Sequence, residues 1–105
     1  MAVALKDLGT GQLPNAKSTL YTVPGATQAA AKVTLVNTGA AARTVNLYAN
    51  KDGANSRRFC PKDLSLGIGD SFTSDLQTLE AGDLIEGDAS AAAEVDYTIN
   101  GFEVA

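Results

Sequence analysis

A chain of 105 residues with 45% hydrophobic and 19% charged side chains has the length of one domain and enough apolar content for a core, which excludes a second independent core and excludes disorder. One cysteine, Cys60, and no histidine exclude an intrachain disulfide, the usual zinc ligand sets and any Ser-His-Asp or Cys-His arrangement. The net charge of −4 hides a polarised chain: residues 1–62 hold all eight bases against Asp7 and Asp52, while residues 63–105 hold ten acids and no base. Such a split suits a charged partner or head-to-tail contact between copies. The favoured expectation is intramolecular, with early and late strands neighbouring each other so that their charges pair.

At the start of the chain, Lys6 and Asp7 break the apolar character before a signal-peptide core develops, and no run reaches transmembrane length. The expectation is a cytoplasmically made, non-secreted product, with no membrane partner. Residues 3–8 read as a short edge strand or an extended arm, and 9–17, with Pro14 and Asn15, as a loop. This divides the chain into an N-terminal arm or edge strand plus loop over 1–17 and a β-sandwich over 18–105.

Residues 18–23 are rich in β-formers and stop at Pro24-Gly25, which suits a turn. Val33 and Leu35 then alternate with polar neighbours, as do Val45, Leu47 and Ala49, although Tyr48 spoils the second pattern. Asn37-Thr-Gly-Ala40 between them predicts a hairpin. Because Leu47 and Ala49 claim the inward face, Tyr48 is expected to present an exposed ring. Residues 51–58 read as a hairpin loop with a basic shoulder in Arg57 and Arg58.

The second half contains an internal echo, L-x-x-G-D-x-apolar, at Leu66-Gly-Ile-Gly69-Asp70-Ser-Phe72 and at Leu79-Glu-Ala-Gly82-Asp83-Leu-Ile85. Each copy predicts a strand end, a turn with glycine at positive φ, and a new strand entering after the aspartate. Val95, Tyr97 and Ile99 alternate with polar residues and mark a half-buried strand, and Gly101 is expected to be a bulge carrying the apolar face on into Phe102 and Val104. The alanine runs 29–31 and 91–93 are too short to impose helices. Together these segments predict an all-β protein: an antiparallel β-sandwich, jelly-roll or Ig-like, of about eight short strands.

The residues supply little catalytic equipment. Asp83, Glu86, Asp88, Glu94 and Asp96 crowd one region, but they read as a solvated face and turn caps rather than an acid–base pair, and they lack the D-x-D-x-D spacing of a calcium loop. An acidic chain with few aromatics near its basic loop does not suit nucleic acid. The expectation is a non-enzyme with no cofactor and no metal, and Cys60 reads as a small buried apolar residue.

Read together, Gly11-Gln-Leu-Pro-Asn15, Leu20-Tyr-Thr-Val-Pro24, Val36-Asn-Thr-Gly39, Ala42-Arg-Thr-Val-Asn-Leu-Tyr48, Pro61-Lys-Asp-Leu-Ser-Leu66, Thr78-Leu-Glu-Ala-Gly-Asp83 and Val95-Asp-Tyr-Thr-Ile99 resemble a family of small phage and prophage virion structural proteins. The resemblance spans nearly the whole chain and departs at Ala29-Ala-Ala31, which is less β-branched than that strand usually is. It implies a virion component, with a capsid decoration or cement protein as the leading role and a tail-, neck- or fibre-associated adhesion module as the alternative. It carries over no catalytic residue. The implied partners are the major capsid protein or another virion protein, together with further copies of the chain as a trimer or dimer. Lys6, Lys51, Arg57, Arg58 and Tyr48 are the candidate docking contacts.

Overall fold

The computed structural model describes residues 3–51 and 55–105, with side chains described from residue 7 onward. Its ten strands are β1 (Val3–Gln12), β2 (Ser18–Thr22), β3 (Gln28–Asn37), β4 (Arg43–Lys51), β5 (Asn55–Arg58), β6 (Leu64–Leu66), β7 (Ser71–Thr73), β8 (Gln77–Leu79), β9 (Leu84–Ala89) and β10 (Val95–Val104). They form two five-stranded antiparallel sheets. Sheet A runs β1-β10-β3-β7, with β8 also on β3; sheet B runs β2-β9-β4-β5, with β6 also on β4. The count exceeds eight because one lateral position in each sheet is filled by two short strands in succession.

The period-2 pattern explains the core. Ala31, Val33, Leu35, Val95 and Ile99 of sheet A meet Val45, Leu47, Ile85 and Ala89 of sheet B in one buried cluster, with Leu13 and Val23 closing it from the loops. Both sheets are assembled in the same way. A late strand slots between two early ones, β10 between β1 and β3 and β9 between β2 and β4. The acid-rich end of the chain is thereby interleaved with its basic beginning, and Arg43 pairs with Glu94 at 3.0 Å.

Three expectations are corrected. Strands β3 and β4 do not form a hairpin: β3 belongs to sheet A and β4 to sheet B, so the turn after Asn37 is a crossover between sheets. Alternation reports which face of a strand is buried, and two strands facing each other across a core alternate just as hairpin partners do. The crossover is pinned by Asn37, fully buried, whose Nδ2 donates to Ala41 O (2.8 Å) and Leu66 O (2.9 Å) while its Oδ1 accepts from Gly39 N (3.0 Å).

The bulge lies in β1, not at Gly101. Register shifts between Asp7 and Gly9, where Asp7 Oδ1 accepts from Gly9 N at 3.0 Å. β1 then continues pairing with β10 to Gln12, beyond the expected end at Leu8. Pairing of β10 with β3 is unbroken from Val95↔Asn37 to Val104↔Gln28, so Phe102 and Val104 keep the parity of Asp96 and Thr98 and face outward. Gly101 is required for another reason: a Cβ there would collide with the carbonyl oxygen of Ala30.

The echoing turns form as their sequences dictate. Gly69 (φ 78°) and Gly82 (φ 86°) occupy the third position of four-residue turns closed by Asp70 N to Gly67 O and Asp83 N to Glu80 O, both 3.0 Å. In each, the aspartate Oδ2 accepts from the first residue's N–H, at 3.0 Å for Gly67 and 2.9 Å for Glu80. Each turn also exchanges two backbone hydrogen bonds with the end of an early strand, Asn37 in one case and Val23 in the other. Both turns carry the chain from one sheet to the other.

Candidate docking surfaces

The outer face of sheet B is built from the residues that alternate with its core positions. Tyr48 in β4 lies directly opposite Arg58 in β5 and Glu86 in β9, and Asn46 lies opposite Asp88. Tyr48 does point away from Leu47 and Ala49, but its ring is only 9% exposed, which corrects the expectation of a free aromatic. It is covered by cations: Lys17 Nζ lies 4.7 Å and Arg58 Cζ 4.9 Å from the ring centroid. The cover comes from residues remote in sequence, so strand parity alone does not reveal it.

Beneath those cations the polar groups satisfy one another. Tyr48 OH donates to Asp88 Oδ2 at 3.0 Å, and Asn46 Nδ2 donates to Asp88 Oδ1 at 2.9 Å and Asp63 Oδ1 at 3.0 Å. Asn46 Oδ1 accepts from Arg58 Nη1 and from Asp63 N (2.9 Å), and Ser56 Oγ donates to Glu86. Burial first, then the Asp88 hydrogen bond and charge, raise the Tyr48 pKa, with Arg58 opposing them. The phenol therefore stays a donor. Glu86 and Asp83 are buried rather than solvated, Asp88 accepts from Tyr48 and Asn46, Glu94 pairs with Arg43, and Asp96 accepts from Gln12 at 3.0 Å.

Of the candidate docking residues, Arg58 and Tyr48 share this face, and Arg57 and Lys51 sit exposed on the β4–β5 hairpin. Lys51 reaches across to sheet A, its Nζ donating to Thr78 O at 2.7 Å. Lys6 lies on β1 opposite Gly101, and its side chain is outside the described residues, as is the hairpin tip at 52–54. Among the described residues no group of three or more Cys, Asp or Glu side chains is placed to hold a metal ion. Cys60 is buried, and burial pushes its thiol pKa up.

A second surface lies at one end of sheet A. A groove of ≈ 840 Å³ is floored by Ala29, Ala30, Ala81, Phe102 and Val104, with Leu76 beside them and Lys51 and Glu80 at its rim. Phe102 (36% exposed) and Leu76 (49%) are among the few large apolar side chains left open. The bulge expected at Gly101 hides this groove from a sequence reading, whereas uninterrupted alternation from Asp96 through Thr98 and Asn100 places Phe102 outside.

No protein-family model and no curated protein matches the chain. The sandwich does match solved structures along its whole length. One is a chain of Bacillus endospore appendages, reported as a novel family of disulfide-linked pili, with a TM-score of 0.60, 16% identity, and coverage of 96% of this chain and 86% of that one. Another belongs to the acid-stable capsid of Helicobacter pylori bacteriophage KHP30, with a TM-score of 0.55, 14% identity, and coverage of 100% and 94%. The VP2 subviral particle of infectious bursal disease virus matches at a TM-score of 0.54 and 11% identity, over 97% of this chain but 31% of that chain. Identities this low establish a shared fold, which appears in the first two as nearly the whole chain and in the third as a part of a longer one.

Proposed function

We propose that this chain is a structural component of a bacteriophage particle, a decoration or cement protein that docks non-covalently on the shell and stabilises it. The observation that carries the reading is the two-way, nearly full-length correspondence with a chain of the KHP30 capsid, a sandwich of similar size without a large insertion on either side. Strand order supports it. Counting each pair of short strands as one position, sheet A reads 1-8-3-6 and sheet B reads 2-7-4-5, which favours the jelly-roll over the Ig-like alternative, in which the first two strands share a sheet.

In this reading the partner is the major capsid protein or another virion protein, and further copies of the chain complete the assembly as a dimer or trimer. Lys51, Arg57 and Arg58 on the β4–β5 hairpin meet an acidic surface of the shell. Tyr48 acts from below, holding Arg58 in place rather than touching the partner. No cofactor takes part. The likeness to an endospore-appendage chain favours a second reading, a tail-, neck- or fibre-associated module contacting the host surface. The exposed ring such a module would use for adhesion is not at Tyr48.

The test is to add purified protein to particles that lack it and image them. Density at repeated lattice positions over the shell is the expected result. Density confined to one vertex or to the tail would overturn the decoration reading in favour of the second.

A further inference from the structure

The two echoing turns stand at opposite ends of sheet A. Turn 67–70 is bonded to Asn37 at the end of β3, whereas turn 80–83 lines the groove beside Gln28 and Ala29 at the start of β3. The ten residues of β3 separate them by about 30 Å, in a molecule whose longest extent is 45 Å. Built alike, the turns differ at their second position. One presents Ile68, 67% exposed and the most open large apolar side chain described; the other presents Ala81, small enough to leave a recess. One end is therefore an apolar knob and the other an apolar hollow.

We infer that the recess formed by Ala29, Ala30, Leu76, Ala81 and Phe102 receives the Ile68 turn of a second copy of this chain, so that copies associate head to tail. At ≈ 840 Å³ the groove lies within the range of sites that enclose a drug-sized ligand, and it admits a turn rather than one side chain. Charge complements shape. Exposed Asp70 flanks the knob and exposed Lys51 flanks the recess, so that an acid on one end meets a base on the other. Knob and recess are different patches, so the contact is heterologous, closing into a ring if the rotation per copy allows and otherwise extending as a filament. It does not rest on the shell-docking reading, because it needs the chain alone.

The experiment measures solution mass by light scattering and sedimentation for the full chain, for Ile68→Asp, for Leu76→Asp and for a 1:1 mixture of the two variants. Both substitutions fall at open positions, and circular dichroism melts verify that each variant folds; Ile68→Lys serves as a second knob variant. Wild type is expected to gain mass with concentration, and each variant to weaken association at least about tenfold. The mixture is expected to stop at a dimer, because an Ile68→Asp copy keeps a working recess and a Leu76→Asp copy keeps a working knob. A wild-type chain that stays monomeric at high concentration overturns the inference. So does an Ile68→Asp variant that associates like wild type, which would mean recess pairing with recess, or a mixture that gains nothing over the separate variants.

Discussion

Tyr48 and Asp88 are joined across β4 and β9 by a 3.0 Å hydrogen bond that lies beneath the Lys17 and Arg58 cations. Removing the hydroxyl alone, as in Tyr48→Phe, leaves both cations their ring and Asp88 its bond from Asn46. A loss of about 1 kcal/mol is expected from urea unfolding. Tyr48→Ala removes the ring as well and is expected to cost about 3 kcal/mol or more. Equal losses from the two variants would show that the ring itself contributes nothing.

Asn37 has two side-chain bonds within the crossover between sheets and a third to Leu66 at the end of β6, and its own side chain is shut off from water. Asn37→Ala leaves the buried carbonyl of Leu66 without that donor, at about 1–3 kcal/mol, and removes two further bonds at Ala41 and Gly39 worth about 1 kcal/mol each. A total of about 3–5 kcal/mol, read as a lower denaturation midpoint with unchanged m-value, is the expected outcome.

Three glycines separate two kinds of backbone requirement. Around Gly69 and Gly82 a Cβ meets nothing, so Gly69→Ala and Gly82→Ala add only the strain of positive φ, about 1–2 kcal/mol each and nearly equal. Gly101→Ala drives a methyl into the Ala30 carbonyl at the centre of sheet A and is expected to cost about 3 kcal/mol or more. Thermal melts of the three variants give the order directly.

Tyr21 donates to Glu103 Oε2 at 2.5 Å, and burial, that bond and the carboxylate charge all raise its pKa above the ordinary phenol value. The unfolded chain releases this proton first as the pH climbs past about 10. Above that point the unfolded state binds fewer protons than the folded one, so stability falls with rising pH; below it the contribution is fully present. Stability measured between neutral and strongly alkaline pH should fall less steeply in Tyr21→Phe than in wild type. Identical slopes would remove Tyr21 from the alkaline transition.

What the sequence disclosed was chiefly local. Gly69-Asp70 and Gly82-Asp83 are legible because a positive-φ glycine and an aspartate capping its own turn need nothing from the rest of the chain. Strand β10 is legible through Asn100 for the same reason, one buried face and one wet one. Partnership was not legible, since the alternation in β3 and β4 is satisfied equally by a neighbour in the same sheet or a strand across the core. Gly101 shows the limit at a single residue: a bulge and a close backbone approach both call for glycine, and only the position of Ala30 decides between them. The docking surfaces failed to show for a related reason. Tyr48 is covered by Lys17 and Arg58, and the groove gathers residues from β3, from the stretch 76–83 and from β10, so neither is a property of any one segment.

The placement of β9 and β10 between earlier strands governs when the protein comes into being. During synthesis β1 and β3 have no hydrogen-bonded link until β10 emerges, and β2 and β4 none until β9 does. The chain must leave the ribosome through β9 before sheet B can close and through β10 before sheet A can, and pairing such distant segments is slow compared with local folding. The knob at Ile68 leaves the ribosome ahead of Phe102, the aromatic of the recess. A nascent chain thus carries a plug without a finished socket, and assembly is deferred until the polypeptide has been made through β10.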